Sequence, residues 1–242
     1  MQMNKKTIVI TGGTRGIGKE IVKNFLENNF VVFYLYKSKP LKSLEFNMFK
    51  NSLFGFKINF ENPLEINKFL IYIKRKTKKI DLLVNNAGDV LKRINFIDSD
   101  DKLWVKCINL NLLSPIILTK KLLPLILKSK KPVIINISSI ASRSGGAPNS
   151  VHYGVAKAGL NSFTKGLSSL NKKLRVVGIA PSIIDTDFQR KHSSKKRIGK
   201  IIKETPLNRI GTTKDISNLV EFLVRDKASY ISGETIFITG GR

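Results

Sequence analysis

Short runs of β-branched and aromatic residues alternate along the chain with longer amphipathic stretches. The short runs predict β-strands, at residues 7–10, 31–36, 55–58, 81–84, 132–137, 174–179 and 235–238. Apolar positions at helical spacing predict helices, at residues 18–28, 63–77, 153–171 and 216–224, with a further long helix that ends at Leu123. This alternation indicates an α/β fold with a doubly wound parallel sheet and helices on both of its faces.

The composition fits one globular domain. The 242 residues are 42% hydrophobic and 25% charged, and no linker-like or repeated segment divides them. The single cysteine, Cys107, excludes an internal disulfide and a cysteine-based zinc site. The apolar stretches at residues 122–127 and 133–137 are too short to span a bilayer, and the N-terminal residues lack the pattern of a signal peptide. A soluble cytoplasmic protein is therefore expected.

The charge is strongly positive. Forty-three Lys and Arg residues against 17 Asp and Glu give a formal net charge of +26, with basic clusters at residues 74–79, 128–131 and 191–203. Such a charge favours nucleic acid, an acidic protein or an anionic cofactor as a partner. However, 33 of the 43 are lysines, and they are spread along the whole chain. A nucleic-acid binder more often concentrates its charge and reads bases with arginine, so we expect much of this charge to be compositional.

A glycine-rich turn directly follows the first predicted strand. Residues 11–18 read TGGTRGIG and open the first predicted helix. Glycines let the backbone approach a pyrophosphate closely, and a helix N-terminus offers N–H donors and the positive end of its dipole. The position of the turn predicts a dinucleotide-binding loop, with candidate contacts at Gly12, Thr14, Arg15, Gly16, Ile17 and Gly18.

A second motif pairs Tyr153 with Lys157. Positions i and i+4 share one face of a helix, so the two side chains are expected to lie together. A lysine ammonium beside a phenol favours the phenolate and lowers the pKa of the phenol, which suits a tyrosine that gives and takes a proton. The alternative is an ordinary surface Tyr–Lys pair.

Six motifs in sequence order give the whole chain a resemblance to the short-chain dehydrogenase/reductase family. Besides the glycine-rich turn and the Tyr-x-x-x-Lys pair, they are NNAG at residues 85–88, NISS at 136–139, PSIIDT at 181–186 and the tail from ISGE at 231–234 to Gly241. The resemblance implies a single Rossmann-fold domain that reduces a carbonyl by hydride transfer from a nicotinamide cofactor. It also implies a cofactor half of roughly residues 1–136 and a catalytic and substrate half of roughly residues 137–242.

The resemblance implies four catalytic residues, Asn111, Ser139, Tyr153 and Lys157. In that scheme the serine polarises the substrate carbonyl and the tyrosine delivers the proton. The lysine binds the nicotinamide ribose and lowers the pKa of the tyrosine. The asparagine follows Trp104 in the family's W-x6-N-L pattern and holds a water that links the lysine to solvent. Two alternatives stay open, namely Ser138 for the serine and Asn109 for the asparagine.

Cofactor choice depends on the end of the second predicted strand. Family members that use NAD usually carry an acid there, whereas the sequence Leu35-Tyr36-Lys37-Ser38 has none. Lys37 and Arg15 are therefore expected to hold a 2′-phosphate, which predicts NADP(H) in preference to NAD(H). The rest of the cofactor site is expected to comprise Asn59, Asn86, Ala87, Gly88, Tyr153, Lys157, Pro181, Ile184 and Thr186.

Two residues depart from the family pattern without removing a catalytic group. Ser182 stands where the family has a glycine after Pro181, and it is placed to change the backbone near the nicotinamide. Asp89 follows NNAG, where small or apolar residues are common.

Residues 193–202 fall where the family carries its substrate-covering loop, and they are highly basic and expected to be mobile.

Within the family, the pattern most resembles the 3-oxoacyl-[acyl-carrier-protein] reductases and their sugar, alcohol and ketone dehydrogenase relatives. From this resemblance, the preferred hypothesis is an NADPH-dependent 3-oxoacyl reductase of fatty acid synthesis. A positive surface would also favour docking of an acidic carrier protein. A reductase of another small ketone, alcohol or sugar is the alternative, and a nucleic-acid-binding protein on the same fold is the remote one. The resemblance implies a homotetramer with interfaces on the helices that follow Asp98 and Tyr153. No metal site or membrane contact is expected.

Overall fold

Seven parallel strands form the central sheet of the computed structural model, which describes residues 5–41, 44–187, 189 and 193–242. In chain order the strands are β1 (Thr7–Thr11), β2 (Val31–Tyr36), β3 (Leu53–Lys57), β4 (Leu82–Asn85), β5 (Val133–Ile137), β6 (Arg175–Pro181) and β7 (Thr235–Ile238). Their order across the sheet is β3-β2-β1-β4-β5-β6-β7. The fold class and all the predicted strands are therefore confirmed, with strand ends shifted by two residues or fewer.

Helices cover both faces of the sheet. They are α1 (Gly16–Glu27), α2 (Pro63–Lys76), α3 (Asp101–Ile108), α4 (Ser114–Ile126), α5 (Ala141–Ser144), α6 (Val151–Ser168), α7 (Lys195–Glu204) and α8 (Thr213–Val224). Short 3-10 turns occur at Leu44–Phe49 and Asp226–Ala228. Among the described helices, none has both the length and the apolarity needed to cross a membrane.

The alternation of side chains along β1 shows why the chain has two cores. Ile8 and Ile10 point to one face, where they join apolar residues of α1 and α8. Val9 points to the other face, where it joins residues of α2 and α4. Because successive side chains on a strand point to opposite faces, a strand covered on both sides is apolar throughout. This explains the continuous TIVIT sequence of β1, in which all five residues are buried.

Two predicted segments differ from the structure. The long helix expected to end at Leu123 is interrupted between α3 and α4 by a π-helical turn at Asn109–Leu113. Residues expected to form a mobile basic loop form α7 instead, which begins after the Ser194 cap and buries Ile201. Two sequence-based statements also involve residues outside those described, namely the start of the chain (residues 1–4) and residues 191 and 192 of the basic cluster.

The strand order reverses direction between β1 and β4, which are neighbours in the sheet. In an open parallel sheet, such a switch point leaves a crevice at the carboxyl ends of the strands, where ligands bind. The glycine-rich turn follows β1, and the NNAG segment begins with the last residue of β4. The topology therefore brings these two motifs to one crevice.

Candidate active site

Hydrogen bonds join the glycine-rich turn to the NNAG segment. The hydroxyl of Thr11 accepts from the backbone N–H of Asn86 at 2.9 Å and of Ala87 at 2.8 Å. In return, the amide Nδ2 of Asn86 donates to the carbonyls of Thr11 and Gly12, at 2.9 and 3.2 Å. These bonds fix the wall of the crevice, so Asn86 acts as a scaffold for the turn.

The turn itself fits a dinucleotide pyrophosphate. Gly12 and Gly16 have φ values of 68° and 52°, a region that favours glycine. A Cβ on Gly18 would lie 2.1 Å from the carbonyl oxygen of Gly12, so only glycine allows the turn to pack this tightly. Helix α1 begins at Gly16 with no side-chain cap on its first N–H groups. Such N–H groups at a helix start are suited to an anion.

The ends of β2 and β3 flank the turn. The backbone N–H groups of Gly12 and Gly13 donate to the carbonyl of Leu35, at 2.9 and 3.3 Å. Lys37, two residues further on, places its Nζ 3.0 Å from the Glu61 carboxylate, which follows β3. This hydrogen bond is the main cause that lowers the pKa of Glu61. The predicted phosphate-binding lysine is thus beside the turn, and it already holds a carboxylate.

Two other predicted cofactor residues lie near this edge. Arg15 caps α1 with its backbone, and its side chain is exposed. Asn59 is half-buried, and its side-chain oxygen accepts from the N–H of Glu61 at 3.2 Å. A narrow cleft close by is lined by Phe60, Ala87 and Leu110. The chain therefore has polar and apolar groups at the edge where an adenosine would lie.

The π-helical turn positions Asn111 at the centre of the site. Its geometry is marked by Ser114, whose N–H and hydroxyl both donate to the carbonyl of Asn109, the hydroxyl at 2.6 Å. Asn111 is fully buried, and its oxygen lies 2.7 Å from where a Cβ on Gly88 would be. Single π-turns inside helices are frequent at functional sites. Of the two candidate asparagines, Asn111 is the one that reaches the NNAG segment.

Lys157 is buried beside Gly88. Its Nζ donates to the carbonyl of Ile137 at 2.9 Å, and it lies 3.2 Å from where a Cβ on Gly88 would be. Burial of the ammonium lowers the pKa of Lys157 from 10.5 to about 8. The lysine therefore remains mostly charged at neutral pH while losing much of its hydration. A side chain at position 88 would therefore crowd both Lys157 and Asn111.

The hydroxyl of Ser139 is close enough to the phenol of Tyr153 to influence its ionisation. The Lys157 Nζ lies 5.7 Å from the centroid of the tyrosine ring. Burial raises the pKa of Tyr153, and the nearby hydroxyl of Ser139 opposes that rise without cancelling it. The sequence-based expectation of a pKa lowered by the lysine is therefore wrong for this structure, because desolvation of the phenolate by burial is the largest effect.

The two candidate serines have different environments. Ser138 is buried, and its hydroxyl donates to the backbone carbonyl of Lys157 at 3.2 Å. Ser139 is half-buried, and its hydroxyl influences the ionisation of the Tyr153 phenol. Ser138 thus holds helix α6 against β5, whereas Ser139 faces the reactive group.

The segment after β6 completes the crevice. Thr186 packs near the turn, with its Cγ2 3.2 Å from where a Cβ on Gly16 would be. Ile184 is buried and pairs with Gly211 in an isolated bridge. The N–H of Ser182 donates to Ile238 at 2.9 Å, and Ser182 is not among the described residues with positive φ. The departure from glycine at this position is therefore accommodated without left-handed backbone.

Asp89, the other departure, has a local role. Its carboxylate accepts from the N–H of Leu91 at 2.8 Å. Leu91 has a φ of 63°, which is uncommon for a residue with a branched side chain. Aspartate favours such turns because it hydrogen-bonds the backbone two residues on. The acid thus stabilises the loop that leaves the NNAG segment.

Sequence reasoning missed three residues around the site. Cys107 is buried, and its Sγ lies 3.4 Å from the amide of Asn111; burial raises the pKa of the thiol to about 11. A ring nitrogen of His152 is 3.0 Å from the carbonyl of Val90. Arg93 interacts electrostatically with Tyr153. The i, i+4 spacing of Cys107 and Asn111 was the available sequence signal, since it places both on one helix face.

Comparisons with known proteins agree with this geometry. A family model described as enoyl-(acyl carrier protein) reductase matches residues 12–242. The chain is similar to 3-oxoacyl-[acyl-carrier-protein] reductases from Buchnera aphidicola subsp. Baizongia pistaciae and Escherichia coli K12. Each is 32% identical over 244 residues, covering 100% of this chain and 98% of the relative.

Solved structures with the same fold carry other names. Ligand-free aldohexose dehydrogenase from Thermoplasma acidophilum is 26% identical, with a TM-score of 0.88 over 98% of this chain and 93% of that one. A Brucella melitensis protein described as a short-chain dehydrogenase/reductase, glucose/ribitol dehydrogenase, is 28% identical, with a TM-score of 0.86 over 100% and 98%.

Proposed function

Because the chain belongs to the short-chain dehydrogenase/reductase family, a family of NAD(P)-dependent oxidoreductases, we propose that it is an NADPH-dependent reductase of 3-oxoacyl groups carried on acyl carrier protein. The observation that carries the proposal is the convergence of Ser139, Tyr153 and Lys157 at one end of the sheet. In this proposal residues 1–136 mainly bind the cofactor, and residues 137–242 carry most of the catalytic and substrate-binding groups. A cytoplasmic location remains a prediction of the sequence.

The proposed roles follow from the contacts of each side chain. The nicotinamide supplies the hydride when bound, and Tyr153 delivers a proton to the carbonyl oxygen. Its raised pKa keeps the phenol in the protonated form that the reduction requires. Ser139, which lies beside that phenol, polarises the carbonyl. Lys157 contributes positive charge and a ribose contact, while Asn111 holds Gly88 and Asp89 in position and links Lys157 to a water.

The preference for NADPH rests on charge at the end of β2. Lys37 follows the strand without a neighbouring acid in the sequence, and Arg15 lies in the glycine-rich turn. A 2′-phosphate between two cations would make charge-assisted hydrogen bonds that NADH lacks. The proposed contacts along the rest of the cofactor are made by the turn, by Asn59, by the NNAG segment and by the segment from Pro181 to Thr186.

The substrate class rests on the relatives and on charge. The relatives with 32% identity are named for 3-oxoacyl groups on acyl carrier protein, and the net charge of +26 suits an acidic protein. Helix α7 adds Lys195, Lys196, Arg197, Lys200 and Lys203 to that surface. The second candidate is a sugar or small-ketone dehydrogenase, favoured by the names of the two solved structures described above.

A homotetramer is part of the proposal. Four apolar side chains on α3, the π-turn, α4 and α6 are exposed in the single chain: Val105, Leu113, Ile117 and Val155. Exposed apolar side chains on neighbouring helices are suited to burial in an interface between subunits. These helices are the ones expected from the sequence to contact a second subunit.

A substrate panel tests the proposal. Acetoacetyl-acyl carrier protein, acetoacetyl-coenzyme A, aldohexoses and small ketones are compared with NADPH, and the reverse reactions with NADP⁺. We expect the highest kcat/KM with the carrier-bound 3-oxoacyl group, and a smaller value with the coenzyme A thioester. Preferential oxidation of a sugar with no thioester turnover would replace this function by the second candidate.

A further inference from the structure

Glu61 lies between two lysines that belong to different parts of the fold. Its Oε1 is 3.0 Å from the Nζ of Lys37, which follows β2, and 3.7 Å from the Nζ of Lys106 on α3. All three side chains are exposed, at 43% for Glu61, 65% for Lys37 and 52% for Lys106. One carboxylate is therefore shared by two ammonium groups at the mouth of the crevice.

The backbone places this cluster beside the glycine-rich turn. The N–H of Ile58 donates to the carbonyl of Tyr36 at 2.8 Å, which keeps the end of β3 next to the end of β2. Gly12 is bonded to Leu35 on the other side of β2. The side chain of Asn59 then holds the N–H of Glu61 at 3.2 Å, so that the carboxylate points back towards Lys37.

We propose that Glu61 limits the affinity for NADPH, because its carboxylate competes with the cofactor's 2′-phosphate for the Lys37 ammonium. This inference rests on the proposed use of NADPH and on the assignment of Lys37 to the phosphate. When the phosphate enters, Lys37 leaves Glu61, and Lys106 keeps the carboxylate away from the incoming anion. Glu61 thereby determines how strongly the chain distinguishes NADPH from NADH.

The exposure of the pair makes the exchange feasible. An exposed Lys–Glu pair contributes little to stability, so a phosphate that carries more charge than a carboxylate displaces it. The exchange still requires that Lys37 break its hydrogen bond with Glu61 before it forms one with the phosphate. NADPH therefore binds more weakly than Lys37 alone would allow, while NADH, which has no 2′-phosphate, is unaffected.

Direct binding measurements on Glu61→Gln test the proposal. The substitution keeps the shape of the side chain and removes its charge. We expect the Kd for NADPH, measured by calorimetry, to fall about threefold or more, in line with the small energies of exposed ion pairs. The Kd for NADH should change less than twofold. The same gain is expected with adenosine 2′-monophosphate as the probe and not with adenosine 5′-monophosphate.

Two comparisons distinguish competition from a general charge effect. Glu234→Gln removes an exposed carboxylate that pairs with Lys165 at 3.1 Å just before β7, at the opposite edge of the sheet, and it should leave the Kd for NADPH unchanged. In a Lys37→Ala background, the gain from Glu61→Gln should largely disappear. An equal gain in both backgrounds would overturn the proposal, since simple repulsion by Glu61 would then be sufficient.

The remaining outcomes are also decisive. Weaker NADH binding by Glu61→Gln would show that the carboxylate accepts a ribose hydroxyl, which contradicts competition for Lys37. A wild-type preference for NADPH that Glu61→Gln leaves unchanged would reject the role of Glu61 and leave the proposed function intact. Equal binding of both cofactors by wild type and by Lys37→Ala would reject the phosphate site itself.

Discussion

The side-chain amide of Asn111 holds the backbone of Asp89 from both directions. Its Nδ2 donates to the carbonyl of Asp89 at 2.9 Å, and its Oδ1 accepts from the N–H of the same residue at 3.1 Å. These two hydrogen bonds resemble those between neighbouring β-strands, with a side chain in place of the second strand. They connect the π-turn to the loop after the NNAG segment, and the Asn111 side chain lies directly against Gly88.

Replacing Asn111 by alanine should reduce both stability and activity. The substitution leaves the N–H and carbonyl of Asp89 without these partners, at a cost of about 1–3 kcal/mol in the free energy of unfolding. Displacement of Gly88 beside Lys157 should lower kcat on the order of 10²-fold. Urea denaturation and steady-state kinetics measure the two effects. Asn109→Ala is the matched control, and a larger loss of kcat there would reassign the asparagine.

Tyr153→Phe should abolish most of the reductase activity while keeping the fold. The ring remains and only the proton donor is removed, so kcat should fall on the order of 10² to 10⁴-fold. The Kd for the cofactor and the melting temperature should change little. Activity within a few-fold of wild type would contradict the proposed acid.

Ser139→Ala should lower kcat strongly because it removes the hydroxyl beside Tyr153, which is the proposed donor to the carbonyl. The neighbouring variant Ser138→Ala loses a bond to the backbone of Lys157, so it should mainly lower the melting temperature. Kinetics and thermal unfolding of both variants separate the two serines. The opposite pattern would move the catalytic assignment to Ser138.

Lys157→Met should inactivate the enzyme and stabilise the protein at neutral pH. The native pKa of about 8 lies below the ordinary 10.5, so the folded chain disfavours the ammonium, and stability rises as pH increases from about 8 to 10.5. Methionine carries no charge, so it removes this destabilisation, which is about 3 kcal/mol below pH 8. The substitution also loses the hydrogen bond to Ile137, which costs about 1 kcal/mol. Chemical denaturation at pH 7 and pH 10 should show the gain shrinking at the higher pH.

Cofactor kinetics should favour NADPH. We expect kcat/KM for NADPH to exceed that for NADH by about tenfold or more, which corresponds to about 1.4 kcal/mol. Lys37→Asp should erode or invert the preference, since a carboxylate accepts ribose hydroxyls and repels phosphate. Higher salt should weaken NADPH binding more than NADH binding. Equal efficiency with both cofactors in the wild-type enzyme would contradict the preference.

The sheet was predictable because each strand is a compact apolar run with a clear boundary. The run from Thr7 to Thr11 and the run from Val31 to Tyr36 are apolar on both faces, and only a doubly covered parallel strand requires that. Helix α7 was missed because residues 193–202 fall where the resemblance implies a substrate-covering loop. Its apolar positions Ile198, Ile201 and Ile202 have helical spacing, but this pattern is short and stands among many basic residues.

The site was predictable where function depends on a short motif, and less so where it depends on packing between distant segments. The Tyr153–Lys157 spacing is local, so the helix alone places the two side chains together. The π-turn at Asn109–Leu113 has no strong sequence marker, and the direction of the Tyr153 pKa depends on burial by several elements. The contact between Lys37 and Glu61 joins residues 24 positions apart, which sequence spacing does not reveal.

The tight approach of Gly18 to the Gly12 carbonyl has a consequence for descendants of this chain. A side chain at position 18 would disrupt the loop whether or not a dinucleotide ever binds, because the obstacle is the protein's own backbone. A lineage that lost catalysis would therefore still be selected to keep this glycine for folding. Loss of Tyr153 would instead identify a homologue that no longer catalyses the reaction, because no described backbone group requires the tyrosine hydroxyl.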